Sequence, residues 1–240
     1  MIHLLKAEIF RMKKKKLLYF SFLAVVAVAV LYMQYTEAMS ADELVKKSLS
    51  FGTVLLPVVF IPFYLCIWQE DISTRFVNNI LISGVSRIPY YITKLAVTYL
   101  AGVIFVTGYS MSVFFTAWLT EGRFSLGEMV YVAGIQLLLY LVVLTLGLMI
   151  YILVDSVALS TAVYVLLVLL FENLMNSFLI QMAAAFQKVS QYFLFQNLSK
   201  VVDIFKMSGA EKRSVLTGGI AVWAVALAIS ILILQKKEYK

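Results

Sequence analysis

Five stretches of the chain, Leu17–Tyr35, Phe51–Trp68, Leu95–Thr120, Met129–Val154 and Val215–Leu234, contain no charged side chain. A sixth, Ser156–Ile180, is broken only by Glu172. A helix rises ~1.5 Å per residue and a bilayer's hydrocarbon core is ~30 Å thick, so ~20 apolar residues make one crossing. Lipid offers no hydrogen-bond partners, and a helix satisfies its own backbone polar groups. The pattern predicts an all-α membrane protein with six transmembrane helices at 17–35, 51–68, 95–120, 129–154, 156–180 and 215–234. Composition agrees: 62% of residues are apolar and 14% charged, against ~45–50% and ~25% in soluble domains.

The first run has a competing reading. Lys13–Lys16 followed by an apolar stretch containing Ala27-Val28-Ala29 has the form of a secretion signal. The apolar stretch continues through Met33, beyond such a cleavage point, and is read as a span.

The net charge of +7 would suit nucleic acid, but its distribution does not. Twelve of the 20 Lys and Arg (Lys6, Arg11, Lys13–Lys16, Arg75, Arg87, Lys94, Lys236, Lys237 and Lys240) fall on one side of a six-span arrangement. The short loops on the other side hold only Lys46, Lys47 and Arg123. By the excess of cations in cytoplasmic loops, both termini are expected in the cytoplasm. The whole chain, 1–240, then forms a single transmembrane domain. Its remaining parts are an interfacial segment at 1–16, a cytoplasmic loop at 69–94 and an outer amphipathic segment at 181–213.

Several chemistries are missing. None of the 11 glycines precedes a lysine, so no phosphate-cradling G-x-x-x-x-G-K-[ST] loop exists. One histidine, His3, and one cysteine, Cys66, supply neither a zinc site nor a hydrolase triad. No catalytic residue, metal ligand or cofactor is expected in this chain, and the best reading of Cys66 is a small apolar filler.

Between the spans, Ile2, Leu5, Ile9 and Met12 recur at helical spacing, predicting a helix in the inner interface with its apolar side toward lipid. The other reading is a plain basic anchor. The loop Gln69–Lys94 repeats Ile72, Phe76 and Ile80 every four residues, giving a short amphipathic helix that Ser83-Gly84 ends. Glu70 and Asp71 are placed in its first turn, where the helix dipole favours them. Such a loop is either a docking surface for a soluble partner or a connector lying against the membrane.

The sequence Glu70, Thr74, Ile80-Leu81, Ser83-Gly84, Ser86-Arg87 and Lys94 resembles the first cytoplasmic loop of ABC-2 type permease subunits of ABC transporters. Ser73 stands where glycine is common and Gly84 where proline is common. The layout is similar too: an N-terminal interfacial helix, six spans, a tight turn at Asp155-Ser156 and an outer segment before the last span. The resemblance implies that the loop is a coupling helix, with Glu70, Asp71, Thr74, Arg75, Phe76, Ser86 and Arg87 facing a separate ATPase subunit that binds ATP and Mg. It further implies a second permease chain, identical or related, and a place in a bacterial cell membrane. An amphipathic antimicrobial or toxin-like peptide is the expected substrate. Lipid or drug export, or a non-transporting immunity protein that sequesters peptides, are the alternatives. The outer segment would form re-entrant helices closing the pathway, with Leu194, Leu198, Val201 and Phe205 as its apolar stripe against the outer leaflet.

Glu172 is the ionisable residue well inside a span, and such residues usually face a protein interior or a water-filled path. Counting from Asp155-Ser156 puts Gln136 at a similar height, so Glu172, Gln136, Asn173 and Asn176 could form a polar patch. Its open readings are a substrate path, an interhelical hydrogen bond, or an early end of the span. Pro57 and Pro62 kink the second span and either shape a cavity or simply bend it. Ala221, Ala224 and Ala228 form a small-residue stripe on the last span, expected to serve packing within the chain.

Overall fold

The computed structural model describes residues 2–38, 40–73, 86–172, 174–175, 177–178 and 191–236, and every regular element among them is helical. Helix α1 covers Ile2–Lys13, α2 Lys16–Tyr35 and α3 Ala41–Gln69, the last running on through Glu70–Ser73. They are followed by α4 at Arg87–Thr120, α5 at Leu126–Leu153 and α6 at Val157–Phe171. A short α7, Leu194–Lys200, leads through a 3-10 turn at Val201–Lys206 into α8, Gly209–Lys236. Five of these, α2, α3, α4, α5 and α8, are long and apolar enough to cross a membrane. The chain is a multi-pass membrane protein. The segment expected to span at 156–180 is represented by the shorter α6, with helical backbone again at 172, 174–175 and 177–178.

Helices start where caps lie, and several begin before the apolar runs do. The Ser40 hydroxyl accepts the Glu43 amide at 3.3 Å, and Asp42 and Glu43 fill the first turn, so α3 begins at Ala41 rather than Phe51. Ser208 and Glu211 cap α8 reciprocally: the Glu211 carboxylate accepts the Ser208 amide at 2.8 Å and the Ser208 hydroxyl accepts the Glu211 amide at 3.3 Å. Ser156 caps α6 after the tight connection from Leu153. Hydropathy marks the part of a helix that suits lipid; capping marks the helix.

Helix α5 is the centre: 67% of its most apolar window is buried, against 22% in α2 and in α8. It packs against α4, α6 and α8, and α4 in turn packs against α1, α2 and α3. The two prolines of α3 remove backbone donors. The helix breaks at Phe60, resumes at Ile61 and widens into a π turn at Leu65–Gln69. Aromatic rings fill the space: Phe60, Phe63, Tyr64 and Trp68 are fully buried, and the Tyr164 hydroxyl donates to the Pro57 carbonyl at 2.9 Å. Tyr64 presses against Gly147 of α5, where a Cβ would lie 2.1 Å from its ring.

Three expectations about amphipathic faces are corrected. Leu5, Ile9 and Met12 of α1 are partly buried against the hydrophobic core, so this stripe packs on the protein. Leu194, Leu198 and Val201 are buried against the bundle, leaving only Phe205 of that stripe exposed. Ala221, Ala224 and Ala228 are exposed, while the buried small residues of α8 are Ser214, Gly218, Gly219, Ala226 and Ser230. In the first two cases the protein takes the face and in the third it leaves the face open, and periodicity cannot tell protein from hydrocarbon.

The Gly147 contact yields a test. Gly147→Ala is expected to destabilise the detergent-solubilised protein by ~1–3 kcal/mol, the usual cost of overpacking, read as a lower thermal unfolding midpoint. Gly134→Ala, where an added Cβ meets nothing within 4 Å, should leave the midpoint unchanged or raise it slightly.

Candidate functional site

A lysine inside an apolar helix needs an anion, because an unpaired charge in a low-dielectric interior is strongly disfavoured. Lys94 lies two turns into α4 and is fully buried. Its ammonium reaches Asp71 at 2.5 Å and Glu8 at 2.7 Å. Arg11 closes the cluster, contacting Asp71 at 2.5 Å and Glu8 at 3.0 Å. The Tyr90 hydroxyl, one turn before Lys94, donates to the second Asp71 oxygen at 2.6 Å. Beside them Lys15 pairs with Glu70. The cations Arg11, Lys15 and Lys94 therefore face the anions Glu8, Glu70 and Asp71, joining α1, the start of α2, the end of α3 and the start of α4.

This geometry changes the account of two predicted residues. Glu70 and Asp71 do not open a separate helix. The backbone passes through Glu70 with helical angles (φ −60°, ψ −38°) directly from the π turn. Their stabilisation comes from the cations and Tyr90, not from a helix N-terminus. Burial alone would raise the Asp71 carboxyl, but Arg11, Lys94 and Tyr90 together hold it below the usual carboxylate range.

Arg87 and Ser86 start α4. The Arg87 guanidinium donates to the carbonyls of Leu234 and Gln235, both at 2.9 Å, where α8 leaves its last carbonyls without helical partners. Nearby, the Gln69 side chain donates to the Asp155 carbonyl at 3.0 Å, tying the end of α3 to the α5–α6 connection. Thr74, Arg75 and Phe76, the centre of the expected coupling segment, lie outside the described residues, as do Asn173 and Asn176.

At the opposite end, Glu172 and Gln136 meet on one element. The Glu172 carboxylate accepts the Gln196 amide at 2.9 Å and also takes the amides of Leu194 and Phe195, capping the first turn of α7. The Gln136 side chain donates to the Leu198 carbonyl at 3.3 Å. The two groups thus hold α7 from both ends. Among the described hydrogen bonds none joins them directly. On the same end, Asp42 accepts the amide and hydroxyl of Ser125 at 2.8 and 2.7 Å, linking α3 to the loop before α5.

Sequence reasoning had Lys94 only as part of the loop pattern and gave Glu8, Arg11, Lys15 and Tyr90 no site role. The signal existed: a lysine one turn after a tyrosine inside an apolar helix, with three carboxylates expected on the same side. Compared with known proteins, the chain matches no family model, and no curated protein gives a significant match.

Two outcomes follow. A carboxyl held below its ordinary value adds stability above pH ~4 that is lost as pH falls through its depressed value. Asp71→Asn should therefore cost ~3–5 kcal/mol at neutral pH, the usual penalty for breaking a buried pair. It should also flatten the loss of stability as pH falls below the ordinary carboxylate range, measured as unfolding midpoints in detergent. At the other end, Glu172→Leu should cost ~1–2 kcal/mol through loss of the cap, with Glu172→Gln recovering part of it.

Proposed function

We propose that this chain is the membrane-spanning subunit of an ATP-driven ABC exporter of the ABC-2 type. Two such chains, identical or related, would enclose the pathway, and separate ATPase subunits carrying ATP and Mg would drive it. In this reading α6 belongs to a sixth span reaching about residue 180, and both termini lie in the cytoplasm of a bacterial cell. The observation that carries the reading is the loop between α3 and α4, whose residues Glu70, Thr74, Ser86-Arg87 and Lys94 resemble the coupling segment of those permeases. Its flanks support a transmitting role. Asp71 and Lys94 are paired, and Arg87 grips the end of α8, so a push on residues 74–85 reaches α1, α3, α4 and α8 through short polar contacts.

The division of labour among the loop residues then differs from the first expectation. Asp71 is fully buried and engaged by three partners, which suits transmission within the chain. Thr74, Arg75 and Phe76 are the residues proposed to meet the ATPase. Amphipathic peptides are the proposed cargo by resemblance, with lipids or drugs next.

The test is co-purification with a candidate ABC ATPase co-expressed with this chain, followed by measurement of ATP turnover with and without candidate amphipathic peptides. Peptide-stimulated turnover that falls at least severalfold in Phe76→Ala, with normal membrane insertion, is the expected result. Tight peptide binding with no associated ATPase would instead indicate a sequestering immunity protein. Turnover stimulated only by lipids or drugs would move the substrate class.

A further inference from the structure

Between α4 and α5, at the end that carries the Glu121–Ser125 loop, lies a groove of about 710 Å³. That volume lies within the ~300–1,000 Å³ of small-molecule sites. Its α4 wall runs from Val106 to Trp118 and its α5 wall from Leu126 to Leu137. At ~1.5 Å per residue each wall is ~17 Å long, about half the ~30 Å hydrocarbon core, which is the depth of one leaflet.

Apart from the hydroxyl residues Thr107 and Ser110, the walls are hydrocarbon and aromatic, including Phe114, Phe115 and Trp118. The Thr107 hydroxyl on the wall is taken up by the Val103 carbonyl of its own helix at 2.6 Å. The floor is set by Ala133 and Gly134, and a Cβ built on Gly134 meets nothing within 4 Å. The groove has one charged lining residue, Arg123 at its mouth. Gly122, at φ +87°, turns the chain between Glu121 and Arg123, and of the charged residues in that loop it is Arg123 and not Glu121 that lines the groove. An apolar slot one leaflet deep with a cation at the interface matches an anionic phospholipid: one acyl chain along the slot and the phosphate on Arg123.

We propose that the α4–α5 groove is a binding site for one anionic phospholipid, selected by Arg123 and admitted by the small side chains Ala133 and Gly134. The proposal is independent of the export reading, because it uses only the groove and the membrane around it.

The test is native mass spectrometry of the full chain released from detergent. Phosphatidylglycerol and phosphatidylcholine with the same acyl chains are added separately as probes. Wild type is expected to retain one phosphatidylglycerol about fivefold better than phosphatidylcholine, the worth of one cation near a headgroup. Arg123→Gln should abolish that preference while still retaining lipid. Gly134→Leu, which projects into open space, should reduce retention of both lipids with an unchanged unfolding midpoint. Equal retention of the two lipids by wild type, or a preference that survives Arg123→Gln, overturns the proposal. So does a groove occupied by a second copy of the chain, seen as a dimer that Gly134→Leu dissociates.

Discussion

A fully buried ammonium has to be neutralised, and Lys94 imposes that requirement on everything near one end of the bundle. Meeting it takes Asp71 from the end of α3 and Glu8 from α1, and Arg11 then balances those two carboxylates. Helix α1 has only 12 residues, too few to be stable alone in water. It is held by its apolar stripe and by this cluster together. Replacing such a cluster with apolar residues of equal volume is often no less stable, so stability alone gives little reason for it. Its evident consequence is to fix how three helices sit against each other around the segment 74–85.

The same solution recurs where helices end. Each terminus leaves backbone groups without partners, and here several are closed by side chains from distant parts of the chain. Arg87 closes α8 and Glu172 closes α7, while Gln69 and Asp42 tie neighbouring connections down. Polar contacts tie down the two ends, and between them aromatic rings on α3 pack against Tyr140, Gly147 and Tyr151 of α5. Geometry is thus specified at the ends, where a directional bond can act, and filled in between by shape.

Five of the six expected spans were legible in the sequence as long apolar helices, because lipid imposes a length and an absence of charge that can be counted. Caps refined this, and Ser40 with Glu43 could have moved the start of α3 from Phe51 to Ala41. The faces were not legible. The stripe Leu5, Ile9 and Met12 looks the same whether it meets lipid or protein, and here it meets protein. The ion cluster was half visible: Lys94, Glu8, Glu70 and Asp71 were all assigned to one side, but Glu8 and Lys94 are 86 residues apart and no periodicity links them. Glu172 was recognised as anomalous, yet its partners are backbone amides of Leu194–Gln196, which carry no sequence signature.

The cluster also bears on how the chain is made. Glu8 and Arg11 leave the ribosome long before Asp71, and Asp71 before Lys94. During synthesis α1 therefore waits without the partners of its charges. Its seat exists once α4 has entered the bilayer, and α4 can bury Lys94 only because the two carboxylates are already there. A segment made before the long helices is thus fixed only after them, and the entry of α4 is the step that lets one cluster join α1, α3 and α4.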